Sequence, residues 1–169
     1  IEVSYNRVKK EVNFTMYEYI TKTCLRFRID RTKPLVSLRV DNEKLHAKST
    51  VGEAEAVSKL PHRQLLGCLG WVACNVRPDM AFIYSQLSKY SEPGKVSKYR
   101  WNLLVKCWRW LVATQKEGLH FSEESESTFW KIYAPYVGKD ADSQQPPCLM
   151  GFSDCSFAVV PQSLQSVPG

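Results

Sequence analysis

The chain has 169 residues, 44% apolar and 24% charged, which is ordinary for a folded protein and long enough for one core or two small ones. It begins with Ile1, shows no charged-then-apolar leader, and has no apolar run near the roughly 18 residues of a membrane helix, so neither secretion nor a membrane span is expected. Its net charge of +6 is uneven: +5 over residues 1–48, 0 over 49–75, +5 over 76–117 and −4 over 118–169, so contact with a polyanion is expected on the first two thirds only.

Ile1, Val3 and Tyr5 alternate with polar residues, as do Val12 and Phe14 after the polar stretch Asn6 to Lys10, which predicts a β-hairpin. Thr15 and Glu18 have capping-box spacing at the start of a helix. On that helix Tyr19, Ile20, Thr23, Cys24 and Phe27 share one face. Pro34 marks the exit from the helical region, and 33–58 reads as a mostly irregular connection.

Residues 61–117 read as three helices. Leu65, Leu66, Leu69, Val72, Ala73 and Val76 form a stripe at 3.6-residue spacing. Gly67 and Gly70 weaken that helix unless another backbone approaches closely there. Pro78 stops the first helix near Val76 and suits the first turn of the second, where Asp79 meets a positive helix end. Arg77-Pro78-Asp79 is thus expected to be a structural turn, with a direct nucleic-acid contact by Arg77 as the alternative.

The third helix, about 97–115, carries two surfaces. Trp101, Leu104, Val105, Trp108, Leu111 and Val112 lie on one broad face, with a further apolar strip at Leu103, Cys107 and Trp110. Burying that face returns less than ordering the helix backbone costs, so the helix must pack against its two predecessors. Lys98, Lys106, Arg109 and Lys116 converge on another sector, which Lys89 and Lys95 could extend. That sector is either a solvated lysine face or a phosphate-binding one. Trp108 and Trp110 are expected to pack in the core rather than to stack on bases.

Gly118 can close the third helix as a C-cap. Beyond it, Leu119–Phe121, Phe129–Tyr133 and Cys148–Phe152 are β-prone, separated by an acidic run at 122–127 and a polar loop at 137–147, both expected to be mobile. The terminal dozen residues are expected to be poorly ordered. The cysteines at 24, 68, 74, 107, 148 and 155 show no C-x-x-C and no zinc-ligand spacing. They read as buried or incidental thiols in a reducing, intracellular setting, cytoplasmic or nuclear. His46, His62 and His120 have no partner at a catalytic or metal spacing.

PHRQLLGCLGWVACNVRPDMAFIYSQLSKYSEPGKVSKYRWNLLVKCWRWLVATQKEGLHF at 61–121, followed by LMGFSDCSFA at 149–158, resembles the end of a copia-type LTR retrotransposon reverse transcriptase running into its ribonuclease H domain. The family block reads like YRxLVGxLxYLxxxTRPDIxFAVxxLSRYxxxPxxxHWxAxxRxLRYLxGTxxxGLxF. The later segment resembles GYSDADWAG or SDASFA. Upstream, IEVSYNRVKKEVNFTMYEYITKTCLRFRIDRTKPLVSLRV is similar to the family's GIEIxxxxxxxxISQxxYIxxLLxRFxMxxxKPVxTPL.

The resemblance implies an α+β fragment of a Pol polyprotein. Residues 1–58 would be the end of the reverse transcriptase palm and its connection, 59–117 a helical thumb-like bundle, and 118–169 a connection and the truncated start of a ribonuclease H-like domain. It implies a parent enzyme, an RNA-directed DNA polymerase with ribonuclease H that uses Mg2+. For this chain it implies no complete active site and no cofactor. The YVDD-like strand of the family has no counterpart, since no Asp-Asp pair occurs. Asp154 corresponds to the first ribonuclease H metal ligand, but no Asp or Glu follows it, and two cations need several converging carboxylates. The partners implied are an RNA-DNA or DNA duplex, held through its phosphates by Lys89, Lys95, Lys98, Lys106, Arg109 and Lys116, and the remainder of the polyprotein. The alternative is a non-enzymatic helical module that binds nucleic acid or a protein.

Overall fold

Alternation of side chains builds the first element, as the sequence implies. In the computed structural model, β1 (Glu2–Asn6) pairs antiparallel with β2 (Glu11–Thr15), and β3 (Leu119–Phe121) returns from far along the chain to the other edge of β2. The structure describes residues 1–133 except 34, 36 and 93, then residue 135, and the backbone of 155–156 and 167–168. Pro34, the 137–147 loop, Cys148–Phe152, Asp154 and most of the terminal dozen therefore lie outside the described residues. The register aligns Val3, Phe14 and Leu119 in one cross-strand row and Tyr5, Val12 and Phe121 in the next. Because side chains alternate along each strand, these rows share one apolar face. Asn6 shapes the hairpin turn by accepting from the amides of Val8 and Lys9 at 3.1 and 3.2 Å.

α1 (Tyr17–Arg26) follows at once. Its start differs from the expected capping box: Met16 is the N-cap residue, and neither Thr15 nor Glu18 caps. The Glu2 carboxylate reaches across from β1 instead, accepting from the amides of Tyr17 (2.7 Å) and Glu18 (3.0 Å) and from the Thr15 hydroxyl (2.9 Å). Glu18 is drawn to Lys22, one turn along, at 2.7 Å. α1 ends in a Schellman motif: the Arg28 amide donates to Leu25 O and the Ile29 amide to Cys24 O, with Arg28 at φ 54°.

The stretch expected to be mostly irregular holds two helices, α2 (Asn42–His46) and α3 (Val51–Ser58). Each is set by its cap: Asp41 accepts from the Lys44 amide, and Thr50 and Glu53 form the reciprocal capping box. Their apolar periodicity is too weak to reveal them.

α4 (His62–Asn75), a 3-10 turn (Pro78–Met80), α5 (Ala81–Ser88) and α6 (Lys98–Ala113) make the predicted helical block. The whole α4 stripe is buried, together with Met80, Ile83 and Leu87 and with Met16, Ile20 and Cys24 at the start and along α1. The bundle and the N-terminal elements thus share one core. Gly70 makes room for the Tyr84 ring rather than for a backbone, since a Cβ would lie 2.6 Å from it; Gly67 faces open space. Gly118 is not the α6 cap, which is Thr114. It allows the chain to pass against the Phe14 carbonyl as β3 joins the sheet.

α6 sits rotated from its expected face. Arg100, Leu103, Leu104, Cys107, Trp108 and Leu111 are buried, while Trp101, Val105 and Val112 are half-buried flanks. Leu103 and Cys107 thus lie on the core face itself, because α1, α3 and α4 all pack on this helix. Burial pushes the Cys24 thiol up to about 11 and that of Cys107 to about 12; Cys68 is half-buried and Cys74 exposed, all four being free thiols.

These elements fall in the compact unit Ile1–Ser122; Glu123–Gly169 forms a second. There the expected strand at Phe129–Tyr133 and the acidic run before it form one helix, α7 (Glu123–Tyr133). Glu123, Glu124 and Glu126 occupy its first turn, where the helix dipole favours anions, and Phe129 stacks with Tyr133 one turn on, ring centroids 4.7 Å apart. β4 (Cys155–Ser156) pairs antiparallel with β5 (Val167–Pro168). The described chain is thus a mixture of helices with antiparallel strands.

Candidate nucleic-acid interface

With one side of α6 committed to the core, its opposite side is fixed as surface. Lys98, Asn102 and Lys106 are exposed at successive turns, and Arg109 lies beside them, half-buried. Along the helix axis Lys98 and Lys106 are about 12 Å apart at 1.5 Å per residue. Neither lysine has an ion-pair or hydrogen-bond partner among the described residues. Their ammonium groups are available to an outside anion.

The other four cations are placed differently. Arg109 donates through Nε to the Lys33 carbonyl at 2.8 Å and faces the 30–33 turn. There the Thr32 hydroxyl and amide, then Lys33 and Arg109, hold the Asp30 carboxyl below its usual range. Lys89 follows α5, half-buried, with its Nζ 3.3 Å from Gln86 Oε1. It lies near His46, which burial, then Lys89 and Arg100, holds below the usual imidazole value. Lys95 is paired with Glu92 at 2.8 Å. Lys116 is exposed in the turn beyond α6. The structure therefore brings Lys98, Lys106 and Arg109 onto one helix face; Lys89, Lys95 and Lys116 belong to the loops at its two ends.

Arg77 is no part of any such surface. It is buried, with Nε and Nη2 on the two carboxylate oxygens of Asp79 (2.9 and 2.7 Å) and Nη1 and Nη2 on the carbonyl and hydroxyl of Thr114 (2.9 and 2.8 Å). Every donor edge faces inward, as the structural-turn reading expects. Trp108 is wholly buried, whereas Trp110 is half-buried, its indole nitrogen 3.5 Å from Asp79.

A second surface escaped the sequence reading. On α4, Gly67, Trp71 and Cys74 are exposed at successive turns, Trp71 to 53%, diametrically opposite the buried stripe. The signal was one large aromatic ring displaced about half a turn from that stripe. An exposed indole beside an open glycine is a flat ring that a base or sugar can approach.

Among the described residues no cluster of three or more His, Cys, Asp or Glu is placed to hold a metal ion, and no helix is long and apolar enough to cross a membrane. No known protein family, curated protein or solved structure matches the chain.

Proposed function

We propose that this chain is a segment of a copia-type reverse transcriptase, comprising late palm elements, the helical thumb and the start of the ribonuclease H connection, and that it positions a template-primer duplex without performing chemistry. The ordered correspondence of the 61–121 and 149–158 blocks supports the family reading. The observation that carries the binding reading is the α6 face, where Lys98 and Lys106 are exposed two turns apart, without partners among the described residues, on a helix whose other side is locked into the core. Phosphates met by such a face release counterions and are read without base preference. Trp71 offers a second, uncharged contact. Mg2+ would belong to the intact parent, for whose site this chain supplies at most Asp154.

Fluorescence anisotropy with an RNA-DNA hybrid across a salt series tests this reading. The expected result is an affinity that falls steeply with salt and drops at least tenfold in the triple variant Lys98→Glu, Lys106→Glu, Arg109→Glu. Binding indifferent to both salt and these substitutions would overturn it.

A protein-binding reading rests on a separate observation: Ile1, Val3, Tyr5 and Phe121 are all more than half exposed on the apolar face of the sheet. Exposed apolar side chains gathered on one face fit an apolar protein partner.

A further inference from the structure

Residues 26–33, where α1 ends and the chain turns, carry four cations, Arg26, Arg28, Arg31 and Lys33, against the single carboxylate of Asp30. The fold brings the end of this stretch to α6, because Arg109 donates through Nε to the Lys33 carbonyl at 2.8 Å. The two Nη groups of Arg109 bond nothing among the described residues.

We propose that the 28–33 turn is a second phosphate-binding element, in which Arg28 and Lys33 meet the nucleic-acid backbone next to the phosphates held by α6, with Arg109 at the junction. The proposal rests on the duplex reading of α6 and enlarges its footprint. Lys98 and Arg109 are about 17 Å apart along the helix axis at 1.5 Å per residue, which one strand of a duplex covers in about five nucleotides at 3.4 Å each. The turn adds cations beside the last member of that row.

The four cations of the stretch are not equivalent. Arg31 is half-buried with its Nε covered, and Arg26 lies over the Phe27 ring at 5.1 Å, so neither is assigned a contact. Arg28 is exposed, and its guanidinium has no ion-pair or hydrogen-bond partner among the described residues. It also stands at φ 54°, in the position of the Schellman motif that glycine ordinarily takes. Within the fold, glycine would close that motif at lower cost, since a residue with a Cβ is strained there. What the arginine adds is an exposed guanidinium, which takes phosphate oxygens as a two-pronged donor. Lys33 is exposed as well, with Nζ 3.8 Å from Asp30 Oδ2, a surface pair weak enough for a phosphate to displace. Asp30 is turned back into its own loop, accepting from the Thr32 amide at 2.9 Å and hydroxyl at 2.6 Å.

Fluorescence anisotropy of the full chain with an RNA-DNA hybrid across a salt series, paired with chemical denaturation, tests the turn. Arg28→Gly and Lys33→Gln are each expected to weaken binding about threefold or more and to lower the salt slope by about one, while the denaturation midpoint of Arg28→Gly stays level or rises. Arg28→Lys should keep the slope, because it preserves the charge in the same backbone conformation. Arg7→Gln, which removes an exposed cation from the hairpin turn, should weaken binding less than about twofold. A loss for Arg7→Gln as large as that for Arg28→Gly would mark a response to net charge only and overturn the proposal. Affinity and slope unchanged in both turn variants, with binding still weakened in the α6 triple variant, would overturn the turn and leave the α6 reading standing. Weakening by the turn variants with the α6 triple variant unaffected would overturn the α6 reading and make the turn the site itself. No binding by the unaltered chain would overturn both.

Discussion

Each end of α6 is held by an arginine only 2% exposed, but the two arginines are satisfied in opposite ways. At the C-terminal end, Arg77 has its counterion two residues away in Asp79 and spends its remaining donors on Thr114. At the N-terminal end, Arg100 bonds no carboxylate among the described residues. It gathers the carbonyls of Leu45, Ala47 and Lys95 and the Ser49 hydroxyl, and lies over the Tyr90 ring at 3.8 Å. Leu45 and Ala47 sit at the C-terminal end of α2, where helix carbonyls lack partners and the dipole is negative. A buried guanidinium can thus be stabilised by one neighbouring charge or by several partial charges drawn from distant chain. The second arrangement exists only once the fold has formed, and it ties the 42–49 stretch to the bundle together with the buried Leu45 and the bonds of His46 to Tyr90 and of Ser49 to the Lys95 carbonyl.

The comparison predicts its own largest effect. Arg100→Met should destabilise the chain by about 3 kcal/mol or more in chemical denaturation, because several buried acceptors lose their donor together. Arg100→Lys should recover only part, since one ammonium cannot serve the same fork of acceptors or stack on Tyr90. A loss below about 1 kcal/mol for Arg100→Met would mean that water replaces the guanidinium, and the two ends would then not differ as argued.

The same contrast separates what could be read in the sequence from what could not. Arg77-Pro78-Asp79 was legible as a turn because the proline and the ion pair lie within three residues, although the bonds to Thr114 were not. The helices at 62–75 and 98–113 were legible from apolar periodicity. Arg100 was not, because all its acceptors but Lys95 lie about fifty positions upstream; the turn of the buried face of α6 toward Leu103 and Cys107 likewise depends on distant helices packed against it. α2 and α3 were hidden behind weak periodicity, although the Thr50 and Glu53 spacing offered a signal. Of the candidate interface, Lys98, Lys106 and Arg109 followed from helical spacing alone, and the pairing of Lys95 with Glu92 three residues away was a local signal left unread, whereas the contact of Arg109 with the Lys33 carbonyl depends on neighbours that only packing assigns.

A smaller effect separates the two ends by pH. Partial burial pushes the Asp79 carboxyl up, but the Arg77 hydrogen bonds and charge outweigh it and hold its pKa below the usual value. A carboxyl depressed in the folded state stabilises fully above its unfolded pKa of about 3.9 and loses that contribution as pH falls through the lower folded value. Asp79 is nearly half exposed, so the contribution is modest. Asp79→Asn should lower stability near pH 7 and flatten the acid limb of the stability profile below about pH 4. Arg100 bonds no carboxylate among the described residues and feels Glu53 only through space, so removing Arg100 should change that limb's slope less than Asp79→Asn does.

The finest distinction concerns the start of α1, where a local cap was expected and a distant one is found. Glu2 accepts two amides and a hydroxyl from residues 13 to 16 positions away. Burial opposes its ionisation, but the bonds from Glu18, Thr15 and Tyr17 hold the carboxyl below its usual value. Glu2→Gln should cost about 1 kcal/mol, the typical effect of losing a helix cap, and the loss should vanish as pH falls from about 4.3 through the folded value. Glu18→Gln should change stability by less than about 0.5 kcal/mol, because its exposed pair with Lys22 contributes little. If Glu18→Gln proved the costlier of the two, the capping box of Thr15 and Glu18 would be the working cap, and the hairpin would not be what fixes where α1 begins.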